Sequence, residues 1–214
     1  MKIDLAAIRQ EYTKGGLRNS NLPDNPLSLF SQWLNEAIDA KVYEPTAVLA
    51  GTVSPEGKPS TRTVLLKGLH DGKFIFFSNY ESRKGKQLSE NPAISLSFVW
   101  HQLERQVHIE GTAARISPEE SDEYFRTRPY KSRIGARISH QSQPIESRMQ
   151  LIRAFVKEAA HWVGKEVKRP VNWGGYAVTP ERIEFWQGRP NRLHDRFVYT
   201  LQPDGHWERK RIAP

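Results

Sequence analysis

The 214-residue chain is 37% hydrophobic and 26% charged, as in an ordinary soluble globular protein, and its lack of cysteine excludes disulfides, thiolate catalysis and cysteine-based metal sites. Its net charge of +8 is spread along the chain, often as pairs near predicted turns and helix starts, with no zinc-finger spacing, RNP-like run or basic heptads; this favours anion pockets over a nucleic-acid surface. No apolar run approaches the ~20 residues that span a bilayer, and the N-terminus lacks the apolar core of a signal peptide, so a cytoplasmic location is expected.

In chain order, residues 3–12 read as a short helix, followed by Gly15-Gly16 and a polar loop. Asn25-Pro26 is an N-cap with proline at the first helical position, and the helix runs to about Ala40 with Leu29, Phe30, Trp33, Leu34 and Ile38 on one face. Strands are predicted at 46–53 and 61–67 around the turn sequence 54–59, then at 73–78 after Asp71-Gly72, with a further hairpin from 93–100 and 106–116. Glu81-Ser-Arg-Lys84 opens a short helix. Ser117-Pro-Glu-Glu120 is a capping box, and that helix ends before Pro129. An apolar stripe at helical spacing (Ile145, Met149, Ile152, Phe155, Val156, Ala159, Val163) predicts a long helix over 145–163. Strands return at 176–178, 182–186, 192–200 and 206–212. This order predicts a mainly β, α+β fold: one domain over 1–214 with a barrel-like core and peripheral helices, an N-terminal arm (1–20) and C-terminal strands (170–214).

Several clusters have the chemistry of an anion site. On a strand over 192–199, Arg192, His194 and Arg196 point to one face, with Trp186 beside them as a flat apolar wall. That face reads either as the wall of a planar, phosphorylated ligand or as a solvated edge strand. Tyr124 and Arg128 share a helix face with Ser132 just beyond, a set able to clamp a phosphate or to serve as a plain polar surface. Ser82, Arg83 and Lys84 meet at a strand-to-helix junction, where free backbone N–H groups favour an anion. Arg62 and Lys67 bracket Thr63-Val-Leu-Leu66 and face opposite sides of an ideal strand unless a bulge intervenes. Gln106 offers a donor and an acceptor. Gln141-Ser142 lies in a polar loop. The seven histidines show no metal-binding spacing, and no nucleophile elbow or paired carboxylates are present, so an organic cofactor is the simplest source of difficult chemistry.

Taken together, Arg9–Tyr12, Arg62–Lys67, Ser82-Arg-Lys84, Glu104-Arg-Gln106, Tyr124 with Arg128-Pro129, Gln141-Ser142, Trp173-Gly-Gly175, Glu184-Phe-Trp186, Arg192–Arg196 and Arg211-Ile-Ala-Pro214 resemble the pyridoxine/pyridoxamine 5′-phosphate oxidase family over nearly the whole chain. The resemblance implies an FMN-binding split β-barrel that acts as a homodimer with sites at the subunit interface. It implies FMN contacts from Arg62, Thr63, Val64, Leu65, Leu66, Lys67, Phe77, Ser78, Arg83, Lys84, Gln106, Gln141, Ser142, Trp186 and Arg196. It implies substrate contacts from Lys67, Tyr124, Arg128 and Ser132 to the phosphate, from Arg192, Leu193 and His194 at the ring, and from a lid at Arg9, Gln10, Glu11 and Tyr12. Arg192 and His194 are the expected catalytic pair, no metal is implied, and neither nucleic acid nor membrane is an expected partner. The chain departs from the family's common residues at Gln10, at Phe77 in place of tyrosine and at Arg137 in place of tryptophan. The alternatives are a related split-barrel flavin reductase, which should lack the Tyr124/Arg128/Ser132 clamp, and a non-enzymatic module that binds pyridoxal 5′-phosphate.

Overall fold

The computed structural model describes residues 11–214. Eight strands form one sheet: β1 (Ala47–Val53), β2 (Pro59–His70), β3 (Lys73–Asn79), β4 (Ala93–Trp100), β5 (Arg105–Arg115), β6 (Trp173–Gln187), β7 (Asp195–Leu201) and β8 (Trp207–Arg211). Their order is β3-β2-β1-β4-β5-β6-β7-β8, and β3 also pairs with β6, which closes the first six strands into a barrel. The helices are α1 (Pro26–Asp39), α2 (Arg83–Glu90), α3 (Pro118–Thr127), α4 (Tyr130–Ile138) and α5 (Arg148–His161). Among the described residues, no helix is long and apolar enough to cross a membrane.

Local chemistry explains most of the boundaries. Asn25 caps α1, accepting from the Leu27 N–H at 2.9 Å, while Pro26 occupies the position where a missing N–H does no harm. The expected capping box starts α3: Glu120 N–H donates to Ser117 Oγ at 3.1 Å and Ser117 N–H to Glu120 Oε2 at 3.0 Å. Between β2 and β3, Asp71 (φ 50°) and Gly72 (φ 76°) make a two-residue turn of the kind that matches strand twist, with His70 paired to Lys73.

Three readings differ from the structure, and a fourth lies mostly outside the described residues. Apart from Glu11 and Tyr12, which are in neither helix nor strand, the 3–12 helix falls outside the described residues. The helix capped at Ser117 ends before Pro129 as expected, but a further helix that was not expected, α4, begins immediately after that proline. The two strands expected at 176–178 and 182–186 are one strand, β6. Its residues 173–178 pair with β3 and 182–187 with β7, so Pro180 lies where that edge changes partner and needs no N–H for either ladder. Finally, β7 starts only at Asp195: Asn191 and Arg192 adopt left-handed backbone (φ 57° and 60°) in a short 3-10 turn, so strand alternation does not place Arg192 beside Arg196.

The chain divides into two compact units. Of the described residues, the first comprises 11–49 with Ser95–Glu110 and Pro180–Pro214, the second Ala50–Ile94 with Gly111–Thr179. An aromatic core fills the first unit, where Phe30 meets Phe98 (5.0 Å between centroids), Trp33 meets Phe185 (5.3 Å) and Phe185 meets Tyr199 (5.7 Å). In the second unit Phe76 stacks on Tyr176, and a separate cluster of Phe125, Ile134, Val167 and Trp173 receives Phe155, Ala159 and Trp162. The remaining apolar residues expected to line the long helix (Ile145, Met149, Ile152, Val156 and Val163) are exposed.

Candidate active site

The second unit holds a cavity of about 270 Å³ lined by cations and neutral polar groups. β2 contributes Thr63, Val64, Leu65 and Lys67 to its lining; along the strand Thr63, Leu65 and Lys67 are exposed while Val64 and Leu66 are buried. β3 contributes Phe77 and Ser78, α2 contributes Lys84, and Tyr124, Arg128, Gln141 and Trp173 complete the wall. Phe77 stacks on Tyr124 at 3.7 Å, and the Arg128 guanidinium lies 4.5 Å from the Trp173 ring centre. Arg128 Nη1 is buried with no hydrogen-bond partner. Burial depresses the Arg128 pKa, partly offset by Tyr124, and raises that of Tyr124, partly offset by Arg128.

Lys84 is 7% exposed and donates only to neutral acceptors: Ser78 Oγ at 2.6 Å, Gln141 Oε1 at 2.8 Å and Ser82 Oγ at 3.3 Å. Burial and the nearby Arg62 charge lower its pKa to about 8. Gly85 makes this arrangement possible: a Cβ there would sit 2.1 Å from the Tyr80 carbonyl oxygen, too close for any other residue without moving α2. Arg62, Leu66, Arg83, Ser132 and Ser142 do not line this cavity. Leu66 belongs to the core, and Ser132 is exposed on the first turn of α4. Arg83 and Ser142 line a neighbouring cavity of about 500 Å³.

The first unit carries a second cavity, about 440 Å³, whose lining includes Gln106, His108, Glu184, Trp186 and Arg196. Glu184, only 5% exposed, receives Arg196 Nε at 2.8 Å and Arg182 Nη2 at 3.2 Å. His108 bridges Ser97 Oγ (3.0 Å) and Gln106 Oε1 (3.1 Å); burial is the main cause of its lowered pKa. His194 lies against Trp186 at 4.7 Å, and its Nδ1 accepts the Arg189 N–H at 3.1 Å, which leaves Nε2 as the protonated nitrogen of the neutral ring. Tyr12 meets both rings edge-on, at 5.4 Å and 5.5 Å. The backbone after it is tied down, with Thr13 and Lys14 N–H on Glu104 and Leu17 N–H on Asp195. Gly188 makes room for Tyr12, whose ring would lie 2.8 Å from a Cβ there. Arg192 and Leu193 are exposed at the turn, and Arg9 and Gln10 lie outside the described residues.

Sequence reasoning missed three partners: buried Glu184 under Arg196, half-buried His108 beside Gln106, and buried Asp195, which accepts from Leu17 and Arg211. Glu184 was within reach of the alternation rule, since it lies two residues before Trp186 on the same face of β6. His108 was within the same reach, two residues after Gln106 on β5, whereas Asp195 depends on contacts with Leu17 and Arg211 far away in sequence.

Known proteins resemble this chain in both sequence and fold. Residues 34–163 match the model of the family described as "Pyridoxamine 5′-phosphate oxidase", and residues 173–214 match "Pyridoxine 5′-phosphate oxidase C-terminal dimerisation region". The chain is 80% identical over 211 residues to a pyridoxine/pyridoxamine 5′-phosphate oxidase of Bacteroides thetaiotaomicron, covering 99% of each, and 55% identical to one of Porphyromonas gingivalis, covering 100% of each. Among solved structures, PhzG from Burkholderia lata 383 superposes with a TM-score of 0.88 at 28% identity, over 94% of this chain and 99% of that one. An FMN-binding protein from Nostoc punctiforme shares the fold, with a TM-score of 0.73 at 16% identity over 89% and 98% of the two chains. With both family models matched in order and relatives this similar along its whole length, the chain belongs to the pyridoxamine 5′-phosphate oxidase family.

Proposed function

We propose that the protein is a cytoplasmic, homodimeric, FMN-dependent oxidase that converts pyridoxamine 5′-phosphate or pyridoxine 5′-phosphate to pyridoxal 5′-phosphate, using molecular oxygen and releasing hydrogen peroxide, and ammonia from the amine. The observation that carries this reading is the buried, partnerless Nη1 of Arg128 in a cavity shared with Lys67 and Tyr124 and lined by no carboxylate. A guanidinium in that state favours an oxyanion, and a phosphate ester fits a wall that also has aromatic faces. In this reading Lys67, Tyr124, Arg128 and Ser132 hold the substrate phosphate.

The residues fit a second phosphate as well. Lys84 is buried against neutral acceptors, with Arg62 and Arg83 close enough to influence the neighbouring pKa values. The set Arg62–Lys67, Phe77, Ser78, Arg83, Lys84, Gln106, Gln141, Ser142, Trp186 and Arg196 would hold FMN. When bound, FMN supplies a two-electron acceptor that oxygen restores. The chain's own work is binding and orientation. Arg192, too basic to take a proton, orients the pyridine ring, while His194 presents its Nε2–H and Trp186 bounds the ring's plane.

Oxygen uptake measured with each phosphorylated vitamer, with and without added FMN, tests the proposal. Uptake that requires FMN and the 5′-phosphate supports it. No uptake with either ester in the presence of FMN sinks it, and a protein that binds pyridoxal 5′-phosphate but no flavin would be a storage module instead.

A further inference from the structure

Gln87 on α2, which the family resemblance leaves without a role, is 4% exposed and stands at the centre of a closed ring of hydrogen bonds. Its Oε1 accepts from Thr52 Oγ1 at 2.6 Å and from Ser60 Oγ at 2.8 Å. Arg62 donates to the same two hydroxyls, Nη1 to Thr52 Oγ1 at 2.6 Å and Nη2 to Ser60 Oγ at 2.6 Å, and Nη1 also donates to the Ala50 carbonyl at 3.0 Å. Each hydroxyl has one proton. Gln87 Oε1 can only accept, so it draws both protons and leaves the lone pairs for the guanidinium.

These bonds engage three of the five guanidinium N–H groups. The two left over, on Nε and Nη2, share one edge, the fork that matches two oxygens of a phosphate. The ring contains no carboxylate, and no ion pair among the described residues includes Arg62, Arg83 or Lys84. Gln87 lines the same cavity as Arg83 and Ser142. Simple packing at position 87 would require neither an acceptor nor a neutral one.

We infer that Gln87 is a positioning residue: an uncharged acceptor that sets the hydroxyls of Thr52 and Ser60 so that the Arg62 guanidinium is held in place without a carboxylate partner, with one edge open to the phosphate of a bound ester. The identity of that ester as FMN rests on the proposed function.

The test is flavin binding by the full-length chain freed of flavin, comparing FMN with riboflavin, which lacks the phosphate. Gln87→Met should weaken FMN about 10- to 100-fold, the range expected for misplacing a charge-assisted pair, and leave riboflavin unchanged. Gln87→Glu should weaken FMN at least as much, because its carboxylate neutralises Arg62. In an Arg62→Lys background Gln87→Met should add nothing further, whereas a purely structural role would be additive. If Gln87→Met does not fold, Thr52→Val, which removes one arm of the ring, should show the same selective loss. Unchanged FMN affinity in the variants, or equal loss for both flavins, overturns the inference while leaving the proposed function standing. A wild-type chain that binds neither flavin overturns both.

Discussion

Lys84 illustrates how much a single buried cation determines. Its pKa in the folded chain is lowered from 10.5 to about 8, first by burial and then by Arg62. Between these two values the unfolded chain holds a proton that the folded one has released. The flavin-free protein should therefore gain stability as pH rises from about 8 towards 10.5, and below about 8 it bears the full penalty of a buried charge. Binding a phosphate dianion runs the other way, because it needs that proton. FMN affinity should be greatest below pH 8 and fall as pH rises above it, and Lys84→Met should flatten both profiles. Titrating flavin fluorescence and melting temperature across this range checks both signs, and an FMN affinity that rose with pH would count against Lys84 as a phosphate ligand. Arg128 allows a sharper separation. Arg128→Lys keeps the charge but loses the fork and the stacking on Trp173, so KM for the phosphorylated vitamers should rise about 10- to 100-fold with a smaller change in kcat. Steady-state kinetics on each ester decides it. An equal fall in kcat with KM unchanged would move Arg128 out of the phosphate clamp.

At the scale of elements, Arg137 joins α4 to α5. It donates to Glu158 Oε1 at 2.6 Å and to the Lys168 carbonyl at 2.8 Å, and its guanidinium lies 4.7 Å from the Trp162 ring centre, while Trp162 Nε1 donates to the same glutamate. Where the family commonly has tryptophan, Arg137 thus makes a satisfied polar clamp. Arg137→Ala should lower stability by about 1–2 kcal/mol, the usual scale for a partly buried charge-assisted bond with stacking, as read by urea denaturation. The Arg137 hydrogen bond is the first cause of the lowered Glu158 pKa, so this stability is present at neutral pH and is lost as pH falls through the folded-state value. α4 itself was not legible in sequence. Pro129 reads as a terminator, and as N-cap residue it makes no side-chain capping bond, so the usual start signal is missing. α1, α3 and the β2–β3 turn were legible because a cap or a turn residue states their chemistry locally. The long apolar stripe of α5 gave the right helix, but only Phe155 and Ala159 of it pack on the cluster while the rest is exposed, since periodicity alone cannot say what covers a face. Arg192 was misplaced for a related reason: left-handed backbone at Asn191 and Arg192 breaks the alternation on which the strand argument depended.

For the whole molecule, the strongest test concerns how copies share their sites. The cation cavity with Arg128 belongs to one compact unit and the His194 face to the other, and the C-terminal residues 173–214 match a region described as a dimerisation region. The family resemblance implies that each site draws on both subunits. Two variants then distinguish the arrangements: Arg128→Ala damages only the first set of residues and His194→Ala only the second. Suppose a site combines Arg128 of one protomer with His194 of its partner. A mixed dimer then has one site carrying both lesions and one carrying none. Random reassortment makes half the dimers mixed, so the mixture should regain about a quarter of wild-type activity although each parent is nearly inactive. If each site is built within one chain, every site in the mixed dimer carries one lesion and nothing is regained. Co-refolding the two variants and measuring oxygen uptake separates these outcomes. Sedimentation of the same mixture confirms that dimers have formed, so a failure to complement points to sites confined to single chains rather than to failed assembly.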